Sequence, residues 1–120
     1  MLLTVPAGLD GEHLAAALQS VLDHHDALRL RLDAATHEPE PWRLRVMPRG
    51  AVAAQDCVLR VDIAGLGTAA RQRLIADEAQ AAAGRLAPSD GKMLQAVWFD
   101  AGTATSGRLL LAIHHLSVDG

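Results

Sequence analysis

Two hydrophobic periods alternate along the chain. Residues 2–5 (LLTV) are a short apolar run closed by Pro6 and Gly8, which predicts a strand. From Asp10, a predicted N-cap, Leu14, Ala17, Leu18, Val21 and Leu22 recur at helical spacing. They predict a helix over 11–25 with His13, Gln19 and Asp23 off the apolar stripe. The period then drops to two. Leu28, Leu30 and Leu32 alternate with Arg29 and Arg31, and Trp42, Leu44 and Val46 alternate with Arg43 and Arg45. Each set predicts a strand, the second with one wet face, joined by a polar turn at 33–41.

Residues 58–63 (VLRVDI) predict another strand, ended by Gly65 and Gly67. Thr68 is the expected cap of an alanine-rich helix over 69–84, with Ala70, Leu74 and Ala81 inward and Gly84 and Pro88 marking its end. After the turn APSDG, residues 93–100 and 108–115 flank a loop of small residues and predict antiparallel neighbours. The unbroken run LLLAI suits a strand buried on both faces. Strands and two main helices in this order predict an α/β fold, an α+β sandwich with a mixed sheet, rather than a bundle.

Length and composition narrow this picture. A chain of 120 residues is one small domain, and its core must be built from Ala, Leu and Val because only Trp42, Trp98 and Phe99 are aromatic. The net charge is −3 and the arginines form no block, which argues against a nucleic-acid partner. Cys57 is the single cysteine, so no disulfide framework or cysteine metal site is available, and a reducing, cytoplasmic setting is expected. No apolar stretch approaches membrane-spanning length, and the N-terminus lacks the basic flank of a signal peptide; a soluble protein with no membrane partner is expected. Cys57, Trp42 and Trp98 read as structural or core residues, and Arg43 and Arg45 as a solvated face.

The chemistry concentrates in the final stretch, HHLSVDG. Successive strand side chains point to opposite faces, so His114 and His115 should diverge if the strand runs through them. Divergence argues against one metal held by both, and His13, His24, His25 and His37 add no ligand spacing. It suits a division of labour, with one imidazole acting as a general base and its neighbour packed inward. Asp119 can bind an imidazole or an arginine, and Gly120 leaves the backbone open to a substrate. The alternative is a hydrogen-bonded pair beside an ordinary Asp-Gly turn; His24 and His25 offer such a doublet within the same chain.

HHLSVDG resembles the His-His-x-x-x-Asp-Gly signature of the condensation-domain superfamily of nonribosomal peptide synthetases, which shares the chloramphenicol acetyltransferase-like fold. HHDALRLRL resembles the family's early Arg-His-x-x-Leu-Arg segment, and LAPSDGKMLQAVWFD is also similar to the family, so the likeness runs through the chain. The resemblance implies that His115 is the catalytic or substrate-positioning base, that His114 is structural, that Asp119 pairs with an arginine, Arg29 being the matching candidate, and that Gly120 places a backbone amide near the thioester. His24 departs from the arginine common in condensing members, and the resemblance of DHHDALRLRL and AVWFDAG leans toward the epimerization branch. No cofactor would be bound directly; substrates would arrive on the phosphopantetheine of a peptidyl or aminoacyl carrier protein. Residues 1–120 would then be a truncated N-terminal lobe, lacking the C-terminal lobe as its partner and inactive alone. Competing expectations are an acyltransferase of the same fold, acting on coenzyme A or carrier thioesters, a non-catalytic carrier-docking module, and a small stand-alone domain with structural histidines.

Overall fold

The computed structural model describes residues 1–34 and 42–117. The expected turn beyond Ala34, the side chain of Trp42, and Asp119 with Gly120 lie outside the described residues. Among the described residues, six strands and two α-helices follow in the order β1 (Leu2–Val5), α1 (Gly11–His24), β2 (Leu30–Ala34), β3 (Trp42–Val46), β4 (Val58–Asp62), α2 (Thr68–Arg85), β5 (Leu94–Asp100) and β6 (Gly107–Ile113). Four strands form a mixed sheet in the order β1-β6-β5-β4, with β4 parallel to β5 and the other pairs antiparallel. β2 and β3 form a separate antiparallel hairpin. The α/β class and the antiparallel pairing of the last two strands are as expected. No described helix is long and apolar enough to cross a membrane.

The core is divided by β5, whose residues Leu94–Phe99 are all buried. Side chains alternate along a strand, so Leu94, Ala96 and Trp98 pack with Leu14, Leu18 and Leu22 of α1. Val97 and Phe99 pack on the other face with Ile63, Ala82 and Leu110, flanked by Leu74, Ile75 and Ala79 of α2. Gly107 allows β6 to close on this layer, since a Cβ there would run into the carbonyl oxygen of Phe99. At the β4 edge, Arg60 binds Asp100 at 2.7 Å and lies over the Trp98 ring. The Gly102 N–H and then Arg60 hold the Asp100 carboxyl below the usual range.

Asp10 caps α1 as expected, accepting a bond from the Glu12 N–H at 2.9 Å. The buried stripe is narrower than the apolar periodicity predicts: Ala17 and Val21 are exposed, whereas Gln19 and Asp23 are half-buried. The Gln19 amide donates to the Val52 carbonyl and accepts from the Ala54 N–H, while Asp23 accepts from the Gly50 N–H. Polar side chains therefore occupy that flank because they satisfy the peptide groups of the 50–54 segment. Thr68 is not the cap of α2; it is the first helical residue, preceded by Gly67 without a side-chain cap. Ala70 and Ala81 face solvent, and Gly84 lies inside the helix, which ends one residue later.

The hairpin departs further from expectation. The register places Leu30, Leu32, Leu44 and Val46 on one face and Arg31, Asp33, Arg43 and Arg45 on the other. Asp33 binds both Arg31 and Arg45. β3 has no dry face: Arg43, Leu44, Arg45 and Val46 are all exposed, Leu44 and Val46 at 49% each. Its arginines form the solvated face expected of them, but its apolar positions have no partner layer among the described residues. Replacing Phe99, the largest fully buried side chain, with alanine is expected to cost about 3–5 kcal/mol, read from the denaturant midpoint. Leu44→Ser and Val46→Ser in the same assay should change stability by no more than about 0.5 kcal/mol.

Candidate functional site

β6 ends at Ile113, two residues before the predicted end, because the chain leaves the sheet at the histidines. The His114 N–H still donates to the Met93 carbonyl at 2.9 Å, which ties it to the start of β5. Residues His115–Ser117 then form a 3-10 turn. Strand alternation stops with the strand, so the expected divergence of the two imidazoles does not occur. Their rings stack at 4.4 Å with planes 26° apart. His114 Nδ1 accepts from the Leu116 N–H at 3.2 Å, which fixes the ring's orientation. His114 is half-buried and held; His115 is exposed. One ring lies against the other rather than pointing away from it.

Arg29 lies beside this turn. It belongs to a 3-10 turn, Asp26–Arg29, that packs against His115–Ser117. Alternation predicts it within a strand, yet it lies in a turn and is 4% exposed. The tight turn after α1 rotates it inward, where its fork meets backbone carbonyls left without partners at the helix end. Nη1 donates to the carbonyls of Leu22 (2.7 Å) and Asp23 (2.9 Å), and Nε to that of Met47 (2.9 Å). Nη2 binds Asp26 Oδ1 at 2.6 Å. Asp26 is 75% exposed, so the ion pair itself is weak and the carbonyl bonds carry the energy. The resemblance implies that Asp119 pairs with Arg29; Asp119 lies outside the described residues, and Arg29 already fastens α1 to β3.

The structure thus stacks His114 on His115 and packs the turn that ends in Arg29 against the His115–Ser117 turn, while the Arg29 guanidinium itself is engaged elsewhere. It adds Ser117, whose buried Oγ has no hydrogen-bond partner among the described residues. No sequence signal marks this serine, because the burial of a single hydroxyl is set by tertiary packing. His24 and His25 form a separate edge-to-face pair with ring centroids 5.1 Å apart. No cluster of three or more metal-ligating side chains occurs among the described residues.

A cavity of about 220 Å³ opens between the hairpin and the segment before β4, lined in part by Arg31, Asp56, Cys57, Asp90 and Lys92. Its two cations face two carboxylates, so it has little net field. Cys57 is buried, as its structural reading requires. Burial, then the Asp56 charge, raises its thiol pKa, against a smaller lowering by Lys92.

No family model matches the chain. One of the subunits of linear gramicidin synthase from Brevibacillus parabrevis is 38% identical over 125 residues, a match that covers 100% of this chain and 2% of that protein. Surfactin synthase subunit 1 of Bacillus subtilis is 32% identical over 120 residues, again covering 100% of the chain, and 3% of the relative. The chain therefore spans only a few per cent of these relatives' length. Among solved structures, the starter condensation domain of rhizomide synthetase aligns over 99% of the chain and 27% of its own, with a TM-score of 0.71 and 17% identity. The epimerization domain from the third module of tyrocidine synthetase B aligns over 95% of this chain and 23% of its own, with a TM-score of 0.68 and 22% identity. The fold is that of condensation and epimerization domains.

Arg29→Lys, which cannot reproduce the fork, is expected to cost about 3 kcal/mol in the urea midpoint by stranding buried carbonyls. Because the folded Cys57 thiol resists ionisation, its stabilising contribution is full below the ordinary thiol range. It is lost as pH rises through the raised folded value. Comparing Cys57→Ser with the parent by alkaline denaturation should show this component disappear.

Proposed function

We propose, from the premise that the chain belongs to the condensation-domain superfamily, that it supplies the N-terminal lobe of a domain acting on aminoacyl or peptidyl thioesters held by a carrier protein. His115 is the working base in this reading. The observation that carries it is the placement of His114 and His115: the sheet delivers the first histidine, a turn exposes the second, and a hydrogen-bonded His114 stacks on it. Asp119 and Gly120 complete the signature in sequence.

In condensation, His115 takes a proton from, or holds, the amine that attacks the thioester carbonyl. The new C–N bond forms as the C–S bond breaks, and the carrier thiol leaves with a proton. In epimerization, the same imidazole removes the proton from the α-carbon, which the thioester carbonyl acidifies, and a second acid returns one to the opposite face. The segment HHDALRLRL favours this branch. No prosthetic group is bound by the chain in either case; the phosphopantetheine arm belongs to the carrier. The remaining lobe supplies the opposite wall and the second acid–base group, so residues 1–120 alone have no turnover. Acyl transfer to a hydroxyl or amine from coenzyme A or a carrier is the second reading, supported by the shared fold.

The test is His115→Ala in the complete synthetase polypeptide containing this chain. Turnover is expected to fall by about 10²–10⁴-fold with carrier loading intact. Unchanged turnover would overturn the catalytic reading in favour of a docking module. Chiral analysis of the carrier-released product separates condensation from epimerization.

A further inference from the structure

A second cavity, of about 180 Å³, lies where the start of α2 meets the start of β6. Arg108 and His114 stand near opposite ends of β6, about 20 Å apart along an extended strand, so the cavity is separate from the histidine turn. Its floor is apolar, formed by Ile63 and Ile75, and its rim carries Thr68, Arg71, Ser106 and Arg108. No carboxylate lines it. Among the described residues, neither arginine has an ion-pair partner, unlike Arg29, Arg31, Arg45 and Arg60. The Arg71 Nε–H donates to the Leu66 carbonyl at 2.9 Å, which fixes the guanidinium at the rim while its terminal nitrogens remain available.

We infer that this cavity binds a phosphate group between Arg71 and Arg108. Two guanidiniums without a local carboxylate favour a doubly charged oxyanion, and planar forks suit its oxygens. The Thr68 and Ser106 hydroxyls supply neutral donors of the kind that complete a phosphate shell. The first turn of α2 adds to the field, having neither an acidic residue nor a side-chain cap. Size sets the ligand class. The cavity holds several times the roughly 30 Å³ share of a water molecule but falls below the roughly 300–1,000 Å³ of sites for drug-sized ligands. It admits one phosphate group and not the body of a nucleotide. The larger cavity beside Cys57 lacks this bias, because Asp56 and Asp90 offset its cations.

The experiment is a titration of inorganic phosphate into the ¹⁵N-labelled 120-residue chain, followed by amide shifts at ionic strength held constant with sodium chloride. Saturable shifts confined to residues 68–71 and the start of β6 are expected. Arg108→Gln, at an exposed position, should weaken binding about tenfold while the amides of Val97 and Phe99 stay in place, which separates lost binding from unfolding. Arg71→Lys keeps the charge but gives up the fork and should lose less. A parallel titration with phosphoserine distinguishes sources: comparable binding identifies a phosphate monoester, and binding of inorganic phosphate alone assigns the free ion. No saturable shift at these amides with either ligand, or unchanged affinity in Arg108→Gln, overturns the inference.

Discussion

Burial of β5 on both faces is the constraint on which the other elements depend. A strand with six successive buried residues cannot be stable at an edge or under a single layer. It needs a neighbour on each side, supplied by β4 and β6, and a helix over each face, supplied by α1 and α2. The parallel β4–β5 pair follows from this demand, since a long connection carrying a helix is how the chain covers one face while returning in the same direction. The histidine turn inherits its position from the same strand. His114 is bonded to Met93 immediately before β5, so the candidate base His115, stacked on His114, stands beside the start of the most deeply buried of the described strands.

Arg29 extends that order from the sheet to the turn. Its guanidinium collects carbonyls from the end of α1 and from the end of β3, and its own turn packs on His115–Ser117. A residue that alternation places within a strand is in fact the fastening between the end of the helix and the hairpin, in a turn packed on the candidate site. Its short charged contact to Asp26 is the least consequential of its bonds, because water reaches the carboxylate freely.

What was legible in the sequence was local and periodic. The Asp10 cap, the strand 58–62, the antiparallel pair before the histidines and the burial of Trp98 all follow from spacing and residue type. Failures came where a tertiary partner or a change of backbone conformation replaced the period. Alternation could not predict the imidazole pair because the strand ended one residue before it. Helical periodicity assigned Ala17 and Val21 to the core, yet the 50–54 peptide groups drew Gln19 and Asp23 inward instead. In β3 the apolar pattern was real, but no described layer covers Leu44 and Val46. For the candidate site, the motif drew attention to His114 and His115, while the orphaned Ser117 hydroxyl and the stacking of the rings arise only from packing.

The pairing of β1 with β6 has a consequence for how the molecule is made. Leu2 lies opposite Leu110, so the earliest of these strands to be synthesised has its sheet partner at the far end of the described residues. During translation at roughly 5–20 residues per second, β1 and the apolar stripe of α1 emerge from the ribosome roughly 5–20 s before that partner exists. Until then Leu2, Leu3, Leu14 and Leu18 lack the strands they pack on in the finished fold. β1 is the oldest of the described strands in the nascent polypeptide and among the last to find its place, so its apolar residues wait longest for their cover.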